Sequence, residues 1–256
     1  MVRTRFSSKS LWGSLVALAT EGLSLFRALS PTGIAVLWAA SLLGIGSVGW
    51  SKGWLLQGAR QCRDVLRSLD RLEWILTAGF SLILGALFVV AYLAPANTSD
   101  SLQYHMTRVV HWAQNQSIRH YATSFNPQIY NPIWAEEVIL HFRQLWGNDR
   151  LANLVQWFSM AGSLIGVSFL ARLLGANRKG QMAAAAFALS LPMGLLQATS
   201  TQNDYVVAFW LICLLSLTAL STVRPLTKLE LLSTSLVLGL GLLTKGTFYP
   251  LSLIHI

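Results

Sequence analysis

The apolar stretch 74-WILTAGFSLILGALFVVAYLA-94 decides the fold class of this 256-residue chain. It contains no charged residue and matches the ~20 residues that a helix needs to cross a bilayer. Directly after it comes 95-PANTSDSLQYHMTRVVHWAQNQS-117, which gathers an aspartate, two histidines and an arginine at helical spacing. An apolar helix followed at once by such a polar segment predicts a membrane protein with its chemistry at one end of the helices.

The composition of the whole chain also indicates a membrane protein. Only 11% of its residues are charged and 54% are hydrophobic, whereas soluble domains carry about 25% charged residues. The net charge of +9 is expected to orient the chain and to contact anionic lipids, so no nucleic acid partner is predicted. Cys62 lies in a basic loop and Cys213 in an apolar run, which does not support a disulfide framework.

Further apolar runs predict an all-α integral membrane bundle of six to eight spans. The run over residues 11–30 contains Glu21 and Arg27, so it is either a span or an amphipathic helix in the interface. Another run begins at Gly246 and is unfinished where the chain ends. The other predicted spans cover residues 32–50, 74–94, 151–171, 181–199, 205–223 and 229–244.

Basic residues predict the orientation of these spans, because cytoplasmic loops carry an excess of Lys and Arg. Basic loops at residues 52–71, 172–179 and 224–228 alternate with less basic ones, so all three are expected in the cytoplasm. Residues 95–150 and 200–204 then face outward.

The long outer loop is predicted to hold two interfacial amphipathic helices. The first covers residues 101–116, and the second covers residues 133–146 and ends at Gly147, which suits a helix C-cap. The segment 126-NPQIYNP-132 between them is expected to be irregular or extended. The apolar side of the first helix comprises Leu102, Met106, Val109, Val110 and Ala113.

Two aspartates stand at the starts of predicted helices, and each has two interpretations. Asp100 is an N-cap, with Gln103 completing a capping box, or a general base at the mouth of a membrane cavity. A cap leaves one carboxylate oxygen free, so the two roles are compatible. Asp204 is likewise an N-cap or part of an outer-face site, since ionisable residues at membrane depth usually face the protein interior.

His105, Arg108 and Trp112 recur at intervals of three and four residues, which places them on one side of the first loop helix. They form either a wet interfacial face or a strip that binds phosphate, because Arg matches phosphate oxygens with two parallel donors. We expect Arg108 to point outward from the helix.

Three more charged residues are candidates. Glu136 and Glu137 are adjacent, so one is expected to face the cavity and the other water. Lys245 is a snorkelling lysine at a helix end, or a cation that stabilises a phosphate leaving group near Asp100. No zinc-like spacing occurs and no cofactor is certain, although a divalent cation is compatible with this chemistry.

The order of these features resembles integral-membrane glycosyltransferases of the GT-C type. The shared features are the acid in the first outer loop, the amphipathic helix, the Tyr-Asn-Pro segment, a helix ending in 145-LWGNDRLANL-154, an acid opening a later span, and 239-GLGLLTKG-246. The most similar branch contains the dolichyl-phosphate-mannose protein mannosyltransferases and the bacterial aminoarabinose transferases of lipid A. The resemblance covers residue 74 onward.

This resemblance implies direct transfer of a sugar from a polyprenyl-phosphate donor to a lipid, glycan or protein acceptor. Asp100 takes the place of the catalytic base. Many relatives carry paired acids in the first loop where Asp100 is flanked by serines, so Glu136 or Glu137 is a substitute. The resemblance also gives functional roles to Asp204 and Lys245. Together with the candidates above, the predicted catalytic residues are Asp100, Asp204, Glu136 and Glu137, and the predicted substrate-binding residues are His105, Arg108, Tyr130 and Lys245.

The resemblance also implies a catalytic core over residues 74–256, preceded by an N-terminal region, residues 1–73, with one or two membrane helices. The expected location is the bacterial inner membrane with the active face outward. Because relatives continue with further spans, the chain is expected to be a C-terminally truncated fragment. The alternative is a non-catalytic membrane protein, either a transporter or an assembly subunit of envelope glycan synthesis.

Overall fold

The computed structural model describes residues 5–253, except for the side chains of residues 5–8 and 55. Within that range the chain is helical, with no strand. The expectations about the two chain ends that involve residues 1–4 and 254–256 lie outside the described residues. The helices are α1 (Arg5–Leu25), α2 (Pro31–Ser51), α3 (Trp54–Arg67), α4 (Arg71–Leu93), α5 (Met106–Asn115), α6 (Pro127–Tyr130), α7 (Trp134–Trp146), α8 (Leu154–Leu173), α9 (Arg178–Leu189), α10 (Pro192–Gln197), α11 (Asp204–Val223), α12 (Lys228–Leu242) and α13 (Phe248–Leu253).

Four helices in the described part of the chain are long and apolar enough to cross a membrane: α2, α4, α8 with the turn before it, and α11. The most apolar parts of α2 and α4 are only 11% and 6% buried inside the protein. Apolar surface of this extent is unfavourable in water and favourable in lipid. The structure therefore agrees with an all-helical membrane protein, while the larger number of spans stays a prediction.

Two of the predicted spans form helices that are shorter than a membrane crossing requires. The single helix predicted over residues 181–199 is two helices, α9 and α10, which separate before Pro192. Proline lacks an N–H donor and disfavours helical backbone at the preceding residue, and Leu191 is accordingly extended at φ −68° and ψ 112°. Helix α12 has 15 residues, fewer than the ~20 that cross the hydrocarbon.

The helices pack around α8 and α11, which lie side by side. A Cβ at Gly162 would lie 2.8 Å from the Phe209 ring, and one at Gly166 would lie 2.5 Å from Ile212. Small residues therefore allow α8 and α11 to approach closely, as in other membrane bundles. Helices α4 and α9 pack against α8, α12 packs against α11, and α1 packs along α12 and α7.

Ion pairs join the starts of α4 and α9. Arg178 lies 3.1 Å from Glu73, and Lys179 lies 3.6 Å from Asp70, the N-cap of α4. These residues stand at the opposite end of α4 from Asp100, as the predicted alternation of loops requires. Which side of a membrane each end occupies is still a prediction.

The region between α4 and α8 contains the two predicted helices. The first is a π-helical turn, Ser101–His105, that continues into α5, and the second is α7. The C-cap at Gly147 is confirmed, with φ 80° and its N–H donating to the Arg143 carbonyl. The segment predicted to be irregular or extended contains the one-turn helix α6, which begins at Pro127. Proline suits a first helical position because that N–H has no partner within the helix.

Candidate functional site

The polar strip of residues 101–116 faces the protein and not the solvent. Ser101, His105, Arg108 and Trp112 are all buried, and they share one helix face. Of the predicted apolar side, Leu102 is 55% exposed, whereas Met106 and Val109 are also buried. The prediction that Arg108 points outward is therefore wrong.

Glu136 of α7 provides the physical reason for this orientation. Its Oε1 lies 2.8 Å from Nδ1 of His105 and 3.2 Å from Nη1 of Arg108, and all three side chains have 0% exposure. A buried charge is tolerated when an opposite charge and hydrogen bonds accompany it. Burial alone would raise the pKa of Glu136, but the adjacent His105 and Arg108 outweigh burial and hold that pKa below its ordinary value. We refer to these three side chains as the buried triad.

Arg108 also fixes the segment that joins α5 to α7. Its guanidinium donates to the carbonyls of Gln128 at 3.1 Å, Pro127 at 2.8 Å and Pro132 at 3.2 Å. Buried carbonyls require hydrogen-bond donors, and this short segment forms only one helical turn of its own. Arg108 thus stabilises the fold around the site, and a direct contact between Arg108 and a substrate stays a prediction.

Asp100 is exposed and does not cap the helix that it precedes. Its backbone is already helical, at φ −62° and ψ −41°, and its side chain makes no capping hydrogen bond. Thr98 Oγ1 instead accepts a hydrogen bond from the Ser101 N–H at 3.2 Å and donates one to Ser101 Oγ at 2.6 Å. The N-cap interpretation of Asp100 is wrong. Within the described part of the chain, its carboxylate has neither a hydrogen bond nor an ion pair.

Asp204 is not an N-cap either. Gln156 of α8 caps α11, because its Oε1 accepts hydrogen bonds from the N–H groups of Tyr205 at 2.9 Å and Val206 at 3.2 Å. Oδ1 of Asp204 lies 2.6 Å from Nζ of Lys245, with the two side chains 43% and 30% exposed. The fold therefore joins an acid and a lysine 41 residues apart in a partly exposed ion pair.

Tyr104 lies among the acids, although no sequence pattern distinguishes it. Burial raises the pKa of its hydroxyl, and the negative charges of Asp100, Glu136 and Asp204 raise that pKa further, with Arg108 opposing them. Three acids from separate parts of the chain thus act on one phenol, which stays protonated and can donate a hydrogen bond. Tyr104 belongs to the π-helical turn, a distortion that is frequent at functional sites.

Asp100, Tyr104, Asp204 and Lys245 form the accessible part of the candidate site, and we call them the outer-end cluster after the predicted orientation of the chain. Two other candidates lie apart from it. Tyr130 is 70% exposed on α6, and its hydroxyl has no hydrogen-bond partner among the described residues. The other is Glu137, on α7.

Glu137 is buried, as is Glu136, so the expectation that one of the two faces water is wrong. The reason is that α7 is enclosed by α1, α2, α5 and α8. Burial raises the pKa of Glu137 well above its ordinary value, and the charges of Glu21 and Glu136 add to this effect. Both effects favour the protonated form of Glu137. Whether α5 and α7 lie at a membrane surface is still a prediction.

A third buried group, at His141, links α7 to α1 and α2 and was not singled out from the sequence. Nε1 of Trp38 donates to Nδ1 of His141 at 3.1 Å, and Nε2 of His141 lies 2.9 Å from Oγ1 of Thr20. Because an indole N–H can only donate, Nδ1 is the acceptor and Nε2 carries the proton. Burial lowers the pKa of His141 to about 4, which keeps the ring neutral.

Among the described residues, no group of three or more His, Cys, Asp or Glu side chains is arranged to hold a metal ion. Comparison of the chain with protein-family models, with curated proteins and with solved structures finds no match in any of the three. The resemblance to glycosyltransferases of the GT-C type accordingly stays a prediction from the motifs quoted above.

Proposed function

We propose that the protein is a GT-C type glycosyltransferase, which moves a sugar from a polyprenyl-phosphate donor to an acceptor at the outer face of the bacterial inner membrane. The observation that carries this proposal is the unpaired carboxylate of Asp100 beside Tyr104 and the Asp204–Lys245 pair. This cluster stands where the apolar helix α4 ends. A donor with its tail in the bilayer presents its sugar and phosphate at that level.

Asp100 is the proposed base. It takes the proton of an acceptor hydroxyl while the acceptor oxygen bonds to the anomeric carbon of the sugar. The bond from that carbon to the phosphate oxygen breaks, and polyprenyl phosphate leaves with the electron pair. A base needs an accessible, unprotonated oxygen. Asp100 is exposed and unpaired, whereas Glu136 is buried against two partners and Glu137 is buried with a raised pKa.

Lys245 is the proposed cation for the departing phosphate, and Asp204 holds its Nζ in place at 2.6 Å. The protonated hydroxyl of Tyr104 supplies a hydrogen bond to a sugar or phosphate oxygen. Donors that are already oriented before the reaction stabilise the charge that grows on the leaving oxygen. His105 and Arg108 act through Glu136 by fixing the helix that carries Tyr104.

Release of polyprenyl phosphate tests this function. The full-length protein is reconstituted in vesicles that contain a polyprenyl-phosphate-linked radiolabelled sugar and lipid, glycan or peptide acceptors. We expect time-dependent transfer with release of the carrier, which Asp100→Asn abolishes and Asp64→Asn, an exposed change on α3, leaves intact. The proposal would be contradicted if, with every donor tested, sugar transfer were no faster than in protein-free vesicles.

A non-catalytic membrane protein is the second candidate, and one observation favours it. Arg108 is paired with Glu136, and Lys245 is paired with Asp204, so a phosphate would have to compete with a carboxylate for either cation. A transporter would move the labelled donor across the bilayer without breaking its sugar–phosphate bond. Accessibility of the intact donor to a non-permeant reagent on the opposite side of the vesicle would identify that activity.

A further inference from the structure

Helix α3 is left almost uncovered by the rest of the protein. It lies between the end of α2 at Ser51 and the start of α4 at Arg71, and it packs mainly against the end of α2. Every described side chain of α3 other than Gln61 is exposed. Stability of the described fold therefore does not explain the sequence of α3.

The sequence of α3 divides into two sides at 100° per residue. One side is apolar and contains Trp54, Cys62, Val65 and Leu66. The large apolar side chains on it are exposed: Trp54 by 49%, Val65 by 56% and Leu66 by 38%. An apolar side this wide on a single helix requires an apolar phase or a partner to cover it.

The other side of α3 is basic. Arg60, Arg63 and Arg67 follow one another at intervals of three and four residues and form a continuous strip that borders the apolar side. Leu56 is an apolar exception within this strip. Residues 52–71 contain five basic and two acidic residues, and a basic amphipathic helix is typical of a membrane surface.

The position of α3 in the chain indicates that the membrane surface covers its apolar side. Helices α2 and α4 are both long and apolar enough to cross a bilayer, so the chain between them leaves and re-enters the membrane at one surface. That surface is at the end of α4 opposite Asp100. With 14 residues, α3 is about 21 Å long, which is too short to cross and suited to lie flat.

We propose that α3 is a binding site for anionic phospholipids at the membrane surface opposite the candidate site. Its apolar side enters the boundary between headgroups and acyl chains, and the three arginines hold lipid phosphates. Long arginine side chains can extend along the apolar boundary and place their guanidinium groups among the headgroups. This binding site does not depend on the proposed transferase activity.

The thiol of Cys62 allows a direct test, because it is exposed on the apolar side while Cys213 is buried. The full chain carrying Cys213→Ser is labelled at Cys62 with a polarity-sensitive fluorophore and reconstituted in phosphatidylcholine vesicles with or without phosphatidylglycerol. We expect phosphatidylglycerol to shift the emission to shorter wavelength, to reduce quenching by aqueous iodide severalfold, and to increase quenching by brominated lipid. A label moved to the polar side, in Gln57→Cys with Cys62→Ser, should stay accessible to iodide.

The arginines are tested in the same assay. Replacing Arg60, Arg63 and Arg67 together by Gln should abolish the effect of phosphatidylglycerol on the Cys62 label. A control with Arg119→Gln and Arg150→Gln, which lie outside α3 in the segment between α4 and α8, should keep that effect. Equal iodide access at the Cys62 and Gln57 positions in both vesicles would overturn the proposal. The proposal would also be overturned if neither iodide nor brominated lipid quenched the label at Cys62, because that result would indicate that another protein covers the apolar side.

Discussion

Two acid–cation groups of similar chemistry lie near Tyr104 in contrasting environments. The buried triad of Glu136, His105 and Arg108 has no exposure, whereas Asp204 and Lys245 are 43% and 30% exposed. A buried charge that loses its partner has neither water nor a counter-charge, but a partly exposed charge regains water. We therefore expect the triad to stabilise the fold and the outer-end cluster to be free to exchange partners for a substrate.

The largest loss of stability is expected from Arg108→Ala. The change leaves Glu136 without its arginine and the carbonyls of Gln128 and Pro132 without their donor, and this should lower the free energy of unfolding by about 3–5 kcal/mol. Denaturant unfolding in detergent measures the effect. Arg119→Ala is the control, because Arg119 is exposed and its loss should change stability by less than about 0.5 kcal/mol. Equal stability of the two variants would show that the triad does not hold the fold.

A somewhat smaller effect is expected from His141 as the pH falls. Burial lowers its pKa from 6.5 to about 4. Between these values the unfolded chain binds a proton that the folded protein does not, so stability is complete above pH 6.5 and falls toward pH 4. The loss is on the order of 3 kcal/mol. Across this range the free energy of unfolding should depend less steeply on pH in His141→Gln than in the unchanged protein. The pH dependence should be unchanged in His120→Gln, where the side chain is exposed. An unchanged slope in His141→Gln would contradict the assignment.

The Asp204–Lys245 pair should affect stability less. Because both side chains are partly exposed, Lys245→Ala should change the free energy of unfolding by about 1 kcal/mol or less. It should nonetheless weaken binding of the polyprenyl-phosphate donor and slow transfer, since the leaving phosphate loses its cation. Donor titrations and transfer rates measure this, with Lys228→Ala as a control at the far end of α12. Normal donor affinity and rate in Lys245→Ala would make Lys245 a structural partner of Asp204 only.

The smallest effect on stability is expected from Asp100→Asn, because the Asp100 carboxylate has no partner in the described chain. If Asp100 is the base, transfer should be abolished while the unfolding midpoint stays nearly unchanged. Transfer assays and thermal unfolding on the same preparation measure both quantities. Retained turnover would show that Asp100 is not the base.

The predictions that held depended on local properties of the sequence. The apolar length of residues 74–94 was enough to predict α4, and the glycine after an amphipathic run was enough to predict the C-cap at Gly147. The break at Pro192 could have been predicted by the same local reasoning, since the backbone restriction of proline acts on its neighbours alone. The orientation of the 101–116 helix could not have been predicted in this way, because an amphipathic pattern is interpreted on the assumption that polar side chains face water.

The sequence by itself thus determined the all-helical membrane class, because apolar length and composition decide whether a helix prefers lipid to water. It also indicated which acids and cations were candidates. Only the tertiary structure decided their environments. Arg108 and Glu136 lie 28 positions apart, and Asp204 and Lys245 lie 41 apart. A charge can be buried only where another helix supplies its partner, so the packing of α5 on α7 and of α11 beside α12 determines which groups are enclosed and which are open to a ligand.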